Sequence, residues 1–176
     1  GQYVGVRLNG ETRSYSLIGQ AGERPDSYRI AVRRLAGGRV SGMIADRLKP
    51  GDTIELTAPF GGFVLPLRNT FPVVLIAGGI GITPFLSYLE TLQGRWHEPA
   101  ITLYYACRDG ASRPFSRRLA ELKQRLPNLS LVTYLSRPRP GDAFDRRGRF
   151  SADDIDEALI SARARFYMCA GDAMMD

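Results

Sequence analysis

The sequence predicts an antiparallel β-barrel lobe followed by a parallel α/β lobe. Three observations predict it. The first part of the chain holds short alternating runs broken by turn residues, the pattern of an antiparallel sheet. Beyond about residue 70 strands and helices alternate, as in a parallel sheet with crossover helices. Where the rhythm changes stands Val73-Val74-Leu75-Ile76-Ala77-Gly78-Gly79-Ile80-Gly81-Ile82-Thr83-Pro84, an apolar run, a glycine cluster and a helix start. The expected lobes are residues 1–68 and 69–176.

In order, Tyr3-Val4-Gly5-Val6-Arg7-Leu8 alternates, Asn9-Gly10 signals a hairpin, and Ser14-Tyr15-Ser16-Leu17-Ile18 resumes the strand. Residues 28–32 and 53–57 read as further strands. Between them Gly37-Gly38-Arg39-Val40-Ser41 leads into a short helix, with Ser41 expected as its N-cap and with Ile44 and Leu48 sharing a face. Lys49-Pro50-Gly51-Asp52 is a turn, and residues 59–70 read as a linker. The parallel strands are expected at 73–77, 101–106, 129–135 and 166–169, and helices at 84–93, 114–126 and 151–161. Thr83 is the expected N-cap of the first helix, with Pro84 at its first position and Gly94 as its stop. Ser151 and Asp154 have the spacing of a capping pair, and residues 137–149 read as a loop.

Composition narrows the function classes. Cys107 and Cys169 are the only cysteines and His97 the only histidine, which excludes a disulfide framework, a four-cysteine cluster and a histidine-dependent triad. No apolar run is long enough to span a membrane and no signal segment opens the chain, so cytoplasmic residence is the default expectation. The net charge of +6 comes mostly from arginine. It suits phosphate-bearing cofactors or an acidic protein partner. Nucleic acid is not expected, because the arginines are scattered and not interleaved with aromatics in one run.

Two segments carry binding chemistry. A strand, a glycine turn and a helix N-terminus at residues 73–84 present free amides and a helix dipole to an anion. The spacing is not G-x-G-x-x-G. The glycine turn at residues 37–41 offers a second anion cradle in the other lobe. Period-2 alternation puts Arg13 and Tyr15 on one face of their strand and Ser14 and Ser16 on the other. One anion site per lobe suits a protein that holds two nucleotide-like cofactors against each other.

In order along the chain, Gly1-Gln2-Tyr3-Val4, Arg13-Ser14-Tyr15-Ser16, Arg29-Ile30-Ala31-Val32, Gly38-Arg39-Val40-Ser41, Ala77 through Pro84, and Tyr167-Met168-Cys169 resemble the ferredoxin–NADP reductase superfamily. Within it the chain is most similar to the reductase part of flavohaemoglobins and oxygenase reductases. The resemblance implies a ferredoxin reductase-like fold and a flavin site in which Arg13 contacts the pyrophosphate, Tyr15 stacks on the isoalloxazine and Ser16 bonds near N5. Tyr3, Ser14, Ala31 and Val32 complete that implied site, and the Gly38 turn with the amides of Val40, Ser41 and Gly42 receives the pyrophosphate. The loop looks more like FAD-binding members than FMN-binding ones, so FAD is expected, with FMN as the alternative. Gly78, Gly79, Ile80, Gly81, Ile82, Thr83 and Pro84 are implied to hold the nicotinamide nucleotide, with Thr83 near the nicotinamide end and Cys169 near its C4 carbon. Ser16, Tyr15 and Cys169 are the implied catalytic residues.

The resemblance has departures. The family continues Cys-Gly-Pro, where this chain has Cys169-Ala170-Gly171-Asp172, and an aspartate there is unhelpful to a phosphate-bearing ligand. Strands expected before residue 1 and after residue 176 make the chain look like a fragment. Arg108 and Arg113 are placed to neutralise a 2′-phosphate while Asp109 is placed to bind a ribose hydroxyl. The resemblance leans to NADH, with NADPH as the alternative. The implied activity is transfer from NAD(P)H to flavin and onward to a haem or iron–sulfur acceptor, in a partner protein or a fused domain. A non-catalytic flavin- or nucleotide-binding sensing or structural module and a free-flavin reductase are the alternatives.

Overall fold

The computed structural model describes residues 1–19, 26–93 and 99–171. β1 (Tyr3–Leu8) and β2 (Glu11–Ile18) form a hairpin that sets Leu8 opposite Glu11 and Tyr3 opposite Ser16. Asn9 and Gly10 both adopt positive φ, 50° and 78°, as the tight turn that matches strand twist requires. β3 (Arg29–Ile30) joins β2, and β4 (Glu55–Leu56) joins β1. The result is a curled antiparallel sheet, half of a barrel, in the order β3-β2-β1-β4. β4 is shorter than its pattern. Beyond Leu56 the Thr57 amide still donates to the Gly5 carbonyl at 3.0 Å, but the Gly5 amide turns to the Thr57 hydroxyl at 2.7 Å, so a side chain replaces half of the next ladder pair.

α1 (Arg39–Asp46) begins three residues earlier than a Ser41 cap would allow. Gly38 is its N-cap and Ser41 stands inside the first turn. There its hydroxyl accepts the Leu35 amide at 3.3 Å and is directed at the Gly38 carbonyl, a local bond that competes with capping.

The second lobe is a parallel sheet ordered β8-β7-β6-β5-β9. Its strands are β5 (Val73–Gly78), β6 (Ile101–Cys107), β7 (Leu129–Leu135), β8 (Arg146–Arg147) and β9 (Arg165–Cys169). β8 lies in the stretch expected to be loop. The Asp145 carboxylate takes both the amide and the hydroxyl of Thr133, at 2.7 and 2.6 Å, and so lays the following arginines against β7.

α2 (Thr83–Leu92) and α3 (Ser116–Arg125) match their expected positions. Gly94, the expected stop, lies outside the described residues, as do His97 and Asp172. The helix expected over 151–161 is instead a 3-10 turn followed by α4 (Glu157–Ser161). Two caps in succession explain the break. Ser151 and Asp154 close the first piece, and Asp156 opens the second by accepting the Ala158 amide at 2.9 Å.

Apolar residues that alternate along β5 cover both faces of the sheet. Leu75 packs with Phe85, Leu89, Leu103, Leu119 and Leu122, while Val74 and Ile76 join Tyr104 and Tyr134 on the other side. The stretch expected to be a linker contributes Leu65 and Leu67 to the first cluster, and β2 contributes Ile18. The Ser87 hydroxyl donates to the Gly19 carbonyl at 2.6 Å, which docks α2 on the end of β2. Among the described residues no helix is long and apolar enough to cross a membrane.

Candidate functional site

On the β lobe, the side chains of Ser14, Tyr15 and Ser16 have no hydrogen-bond partner among the described residues, and Tyr15 and Ser16 are half-buried. Burial raises the Tyr15 phenol above its ordinary value, opposed by the nearby Arg13 charge. Tyr3, opposite Ser16, sets its ring edge-on to Phe60 with centroids 4.3 Å apart. At α1 the first helical hydrogen bond runs from Gly42 to the Gly38 carbonyl at 2.8 Å. The Gly42 amide is therefore taken, contrary to expectation, and the open donors are Arg39, Val40 and Ser41. The helix starts at Arg39, which moves the set of unpaired amides back by one.

Glu11 is a member of this region that its sequence did not flag. Its carboxylate meets Arg13 at 3.3 Å and Arg39 at 2.8 Å, bridging the expected phosphate arginine to the helix start. The available signal was period-2 spacing, which puts Glu11 and Arg13 on one strand face.

On the α/β lobe, β5 runs into a 3-10 turn, Gly79–Ile82, which hands over directly to α2. Because this turn winds the chain before the helix, Ile82 occupies the N-cap position and Thr83 is the first helical residue, not the cap. Thr83 is 3% exposed and its hydroxyl donates to Ile80 at 3.1 Å. Gly79 has φ 52°, a conformation that favours glycine. Gly81 is required for a different reason: a Cβ there would run into the carbonyl oxygen of Cys169. Cys169 ends β9 in register with Ala77 of β5. Burial raises its thiol above its ordinary value. The Gln2 carbonyl accepts the Leu17 amide at 2.9 Å, which pins the start of β1 to the end of the hairpin.

The lobes frame a cleft of about 460 Å³. Ala31, Val32 and Arg33 line its β side, and Gly79, Ile80 and Phe115 its α/β side. Not every expected residue reaches it. Pro84 lines a separate hollow with Leu17 and Ser87. Arg108 and Arg113 follow the end of β6, one strand away from the glycine turn.

Asp109, between those arginines, is 3% exposed. It accepts the Ser112 amide at 2.8 Å, Arg139 at 2.9 Å and Arg108 at 3.3 Å. Burial pushes its carboxyl up, but the bonds from Ser112 and the charge of Arg139 outweigh it and hold the group at about 2. The carboxylate is turned inward and committed, so it does not stand open to a ribose hydroxyl. Its exposed neighbours are cations. Asp142 ties the same turn to the next loop, accepting the amides of Gly110 at 2.9 Å and Arg139 at 2.8 Å.

An open helix start beside unpartnered polar side chains on one lobe, and a glycine turn before a helix on the other, define a module for two nucleotide cofactors, of the FAD- and NAD-binding oxidoreductase class. Residues 1–65 match the oxidoreductase FAD-binding domain and residues 75–176 the oxidoreductase NAD-binding domain. The chain belongs to the oxidoreductase NAD-binding domain family, joined here to its FAD-binding companion. It is 34% identical over 190 residues to a flavohemoprotein from Bacillus cereus, covering 99% of this chain and 47% of that one. A cytochrome P450 reductase from Amycolatopsis superposes with a TM-score of 0.82 at 33% identity, over 99% of this chain and 53% of that one. A ferredoxin–NADP+ reductase from Plasmodium falciparum shares the fold, with a TM-score of 0.77 at 22% identity over 99% and 74% of the two chains. The fold is thus ferredoxin reductase-like. The chain spans about half the length of the curated relatives it matches.

Proposed function

We propose that this chain is the reductase module of an NAD(P)H-dependent flavoprotein that delivers electrons to a haem acceptor. The supporting observation is the cleft between the lobes that sets Ala31 and Val32 against Gly79 and Ile80. The redox chemistry between nicotinamide and acceptor would be supplied by FAD when bound. The chain's own work is binding and orientation. The unpartnered Ser14, Tyr15 and Ser16 side chains fit a flavin ring: Tyr15 offers a face for stacking, and Ser16 a hydroxyl to hold the ring edge. Arg13 with the amides of Arg39, Val40 and Ser41 would take the pyrophosphate. The glycine turn would hold the second nucleotide, and Cys169 closes that wall without supplying an acid or base. We place the lobe boundary between residues 68 and 69.

A haem acceptor is favoured over an iron–sulfur one because the relatives include a flavohemoprotein and a cytochrome P450 reductase. The net charge of +6 suits an acidic docking face on that acceptor. With Asp109 turned inward, the β6 turn offers cations and no open carboxylate, so the lean to NADH rests on the resemblance alone.

The test is anaerobic addition of NADH or NADPH to the FAD-loaded protein. Bleaching of the flavin absorption is expected, and the faster nucleotide gives the preference. Flavin that stays bound and never bleaches would replace this reading with the sensing module. Flavin that is released and turns over free would replace it with a free-flavin reductase.

A further inference from the structure

Tyr105 lies fully buried on β6, in register with Ala77 of β5 and directly behind the glycine turn. Its hydroxyl stands 3.1 Å from the carbonyl oxygen of Gly79 and 3.2 Å from that of Pro114. Both partners are acceptors, so the phenol proton is shared between them. Burial pushes the phenol well above its ordinary value, which keeps that proton in place across the physiological range. The two acceptors belong to different segments of the cleft's α/β side: Gly79 to the turn after β5, Pro114 to the corner before α3. Each segment also carries a left-handed residue, Gly79 at φ 52° and Phe115 at φ 61°. For an aromatic residue that conformation is costly and persists only where surrounding contacts hold it.

We propose that Tyr105 is a positioning residue of the nucleotide cleft, its single hydroxyl tying the Gly79 turn to the Pro114 corner and so fixing how these two segments of the α/β wall are spaced beneath the nucleotide. The inference rests on reading this cleft as the NAD(P)H site. An ordinary core tyrosine would contribute packing and stability and leave nucleotide affinity alone. A clamp does the opposite when its oxygen alone is removed, because the ring still fills its place while the two segments lose their common tie.

The experiment is Tyr105→Phe in the FAD-loaded protein, with Tyr134→Phe, a buried tyrosine on the other face of the sheet, as control. The affinity for NAD+ and NADP+ is expected to weaken about five-fold, the net worth of one neutral hydrogen bond. KM for the reduced nucleotide should rise by the same factor with kcat for flavin reduction unchanged. FAD affinity should stay within two-fold, roughly the limit of measurement, and the control should leave all of these values alone. Unchanged nucleotide affinity in Tyr105→Phe overturns the clamp. A wild-type protein that binds FAD and neither nucleotide overturns the site itself, and the clamp with it. Hydrogen exchange on the unaltered FAD-loaded protein decides the matter even if the variant does not fold. Added nucleotide should protect residues 79–82 and 110–116 together, and protection of one segment alone overturns the tie.

Discussion

Ser16 and Asp109 are two polar side chains with opposite fates. The Ser16 hydroxyl has no internal partner among the described residues, is half-buried, and is the group proposed above to hold the flavin ring edge. Ser16→Ala should therefore slow flavin reduction about ten-fold, equivalent to about 1.4 kcal/mol, with a smaller loss of FAD affinity. Rapid mixing that returns an unchanged rate removes Ser16 from the reaction. Asp109 is instead fully engaged, and its carboxyl is held at about 2 against an ordinary 3.8. A depressed carboxyl stabilises the fold above its unfolded value and loses that contribution as pH falls through its folded one. Urea midpoints should accordingly drop between pH 4 and pH 2, and Asp109→Asn should flatten that limb while lowering the plateau above it. An identical acid limb in the variant would assign the loss to other carboxylates. The sequence showed Asp109 as a polar residue in a nucleotide-facing turn. It did not show which way the side chain points, since that depends on Ser112 next door and Arg139 in a distant loop.

Helices α2 and α3 flank the same sheet and are joined by charge. Arg118 meets Glu90 at 2.6 Å, with the Glu90 side chain 8% exposed and that of Arg118 34%. Arg118 also reaches Glu121 at 3.1 Å. The pair lies between an exposed ion pair, worth about 0–1 kcal/mol, and a fully buried one, whose disruption costs about 3–5. Arg118→Ala should lower unfolding free energy by about 2 kcal/mol in denaturant titrations, and a loss indistinguishable from zero would mean the bridge is solvated. Local chemistry made most elements legible. The Asn9-Gly10 hairpin, the apolar run of β5 and the helical spacing from Phe85 to Leu92 each have one favoured outcome. The misread elements are those where two signals overlap. A serine three residues inside α1 resembles a cap until Gly38 is seen to hold that place. Consecutive caps at Ser151 and Asp156 split what periodicity joins, and β8 depends on Asp145 reaching Thr133 across the loop.

At the scale of the whole molecule, the two lobes share α2, β2 and the Leu65–Leu67 stretch, so a ligand on one lobe is expected to steady both. FAD at about one hundred times its Kd adds about 2.7 kcal/mol to unfolding, a rise of about 5–10 °C in Tm for a chain of this length. One cooperative melt that moves as a whole is expected, and two transitions of which only one moves would mean that the lobes unfold separately. The glycine turn of the opening motif is complete only when Gly81 rests on the Cys169 carbonyl. That carbonyl belongs to β9, the last of the described strands, which slots in beside β5 after the chain has crossed over to β6, β7 and β8. Pairing between segments so distant in sequence forms late, because the intervening loop entropy must be lost first. During synthesis the nucleotide pocket therefore waits on β9, the last of the described strands to emerge, and until that strand has docked a nascent chain cannot capture the nucleotide.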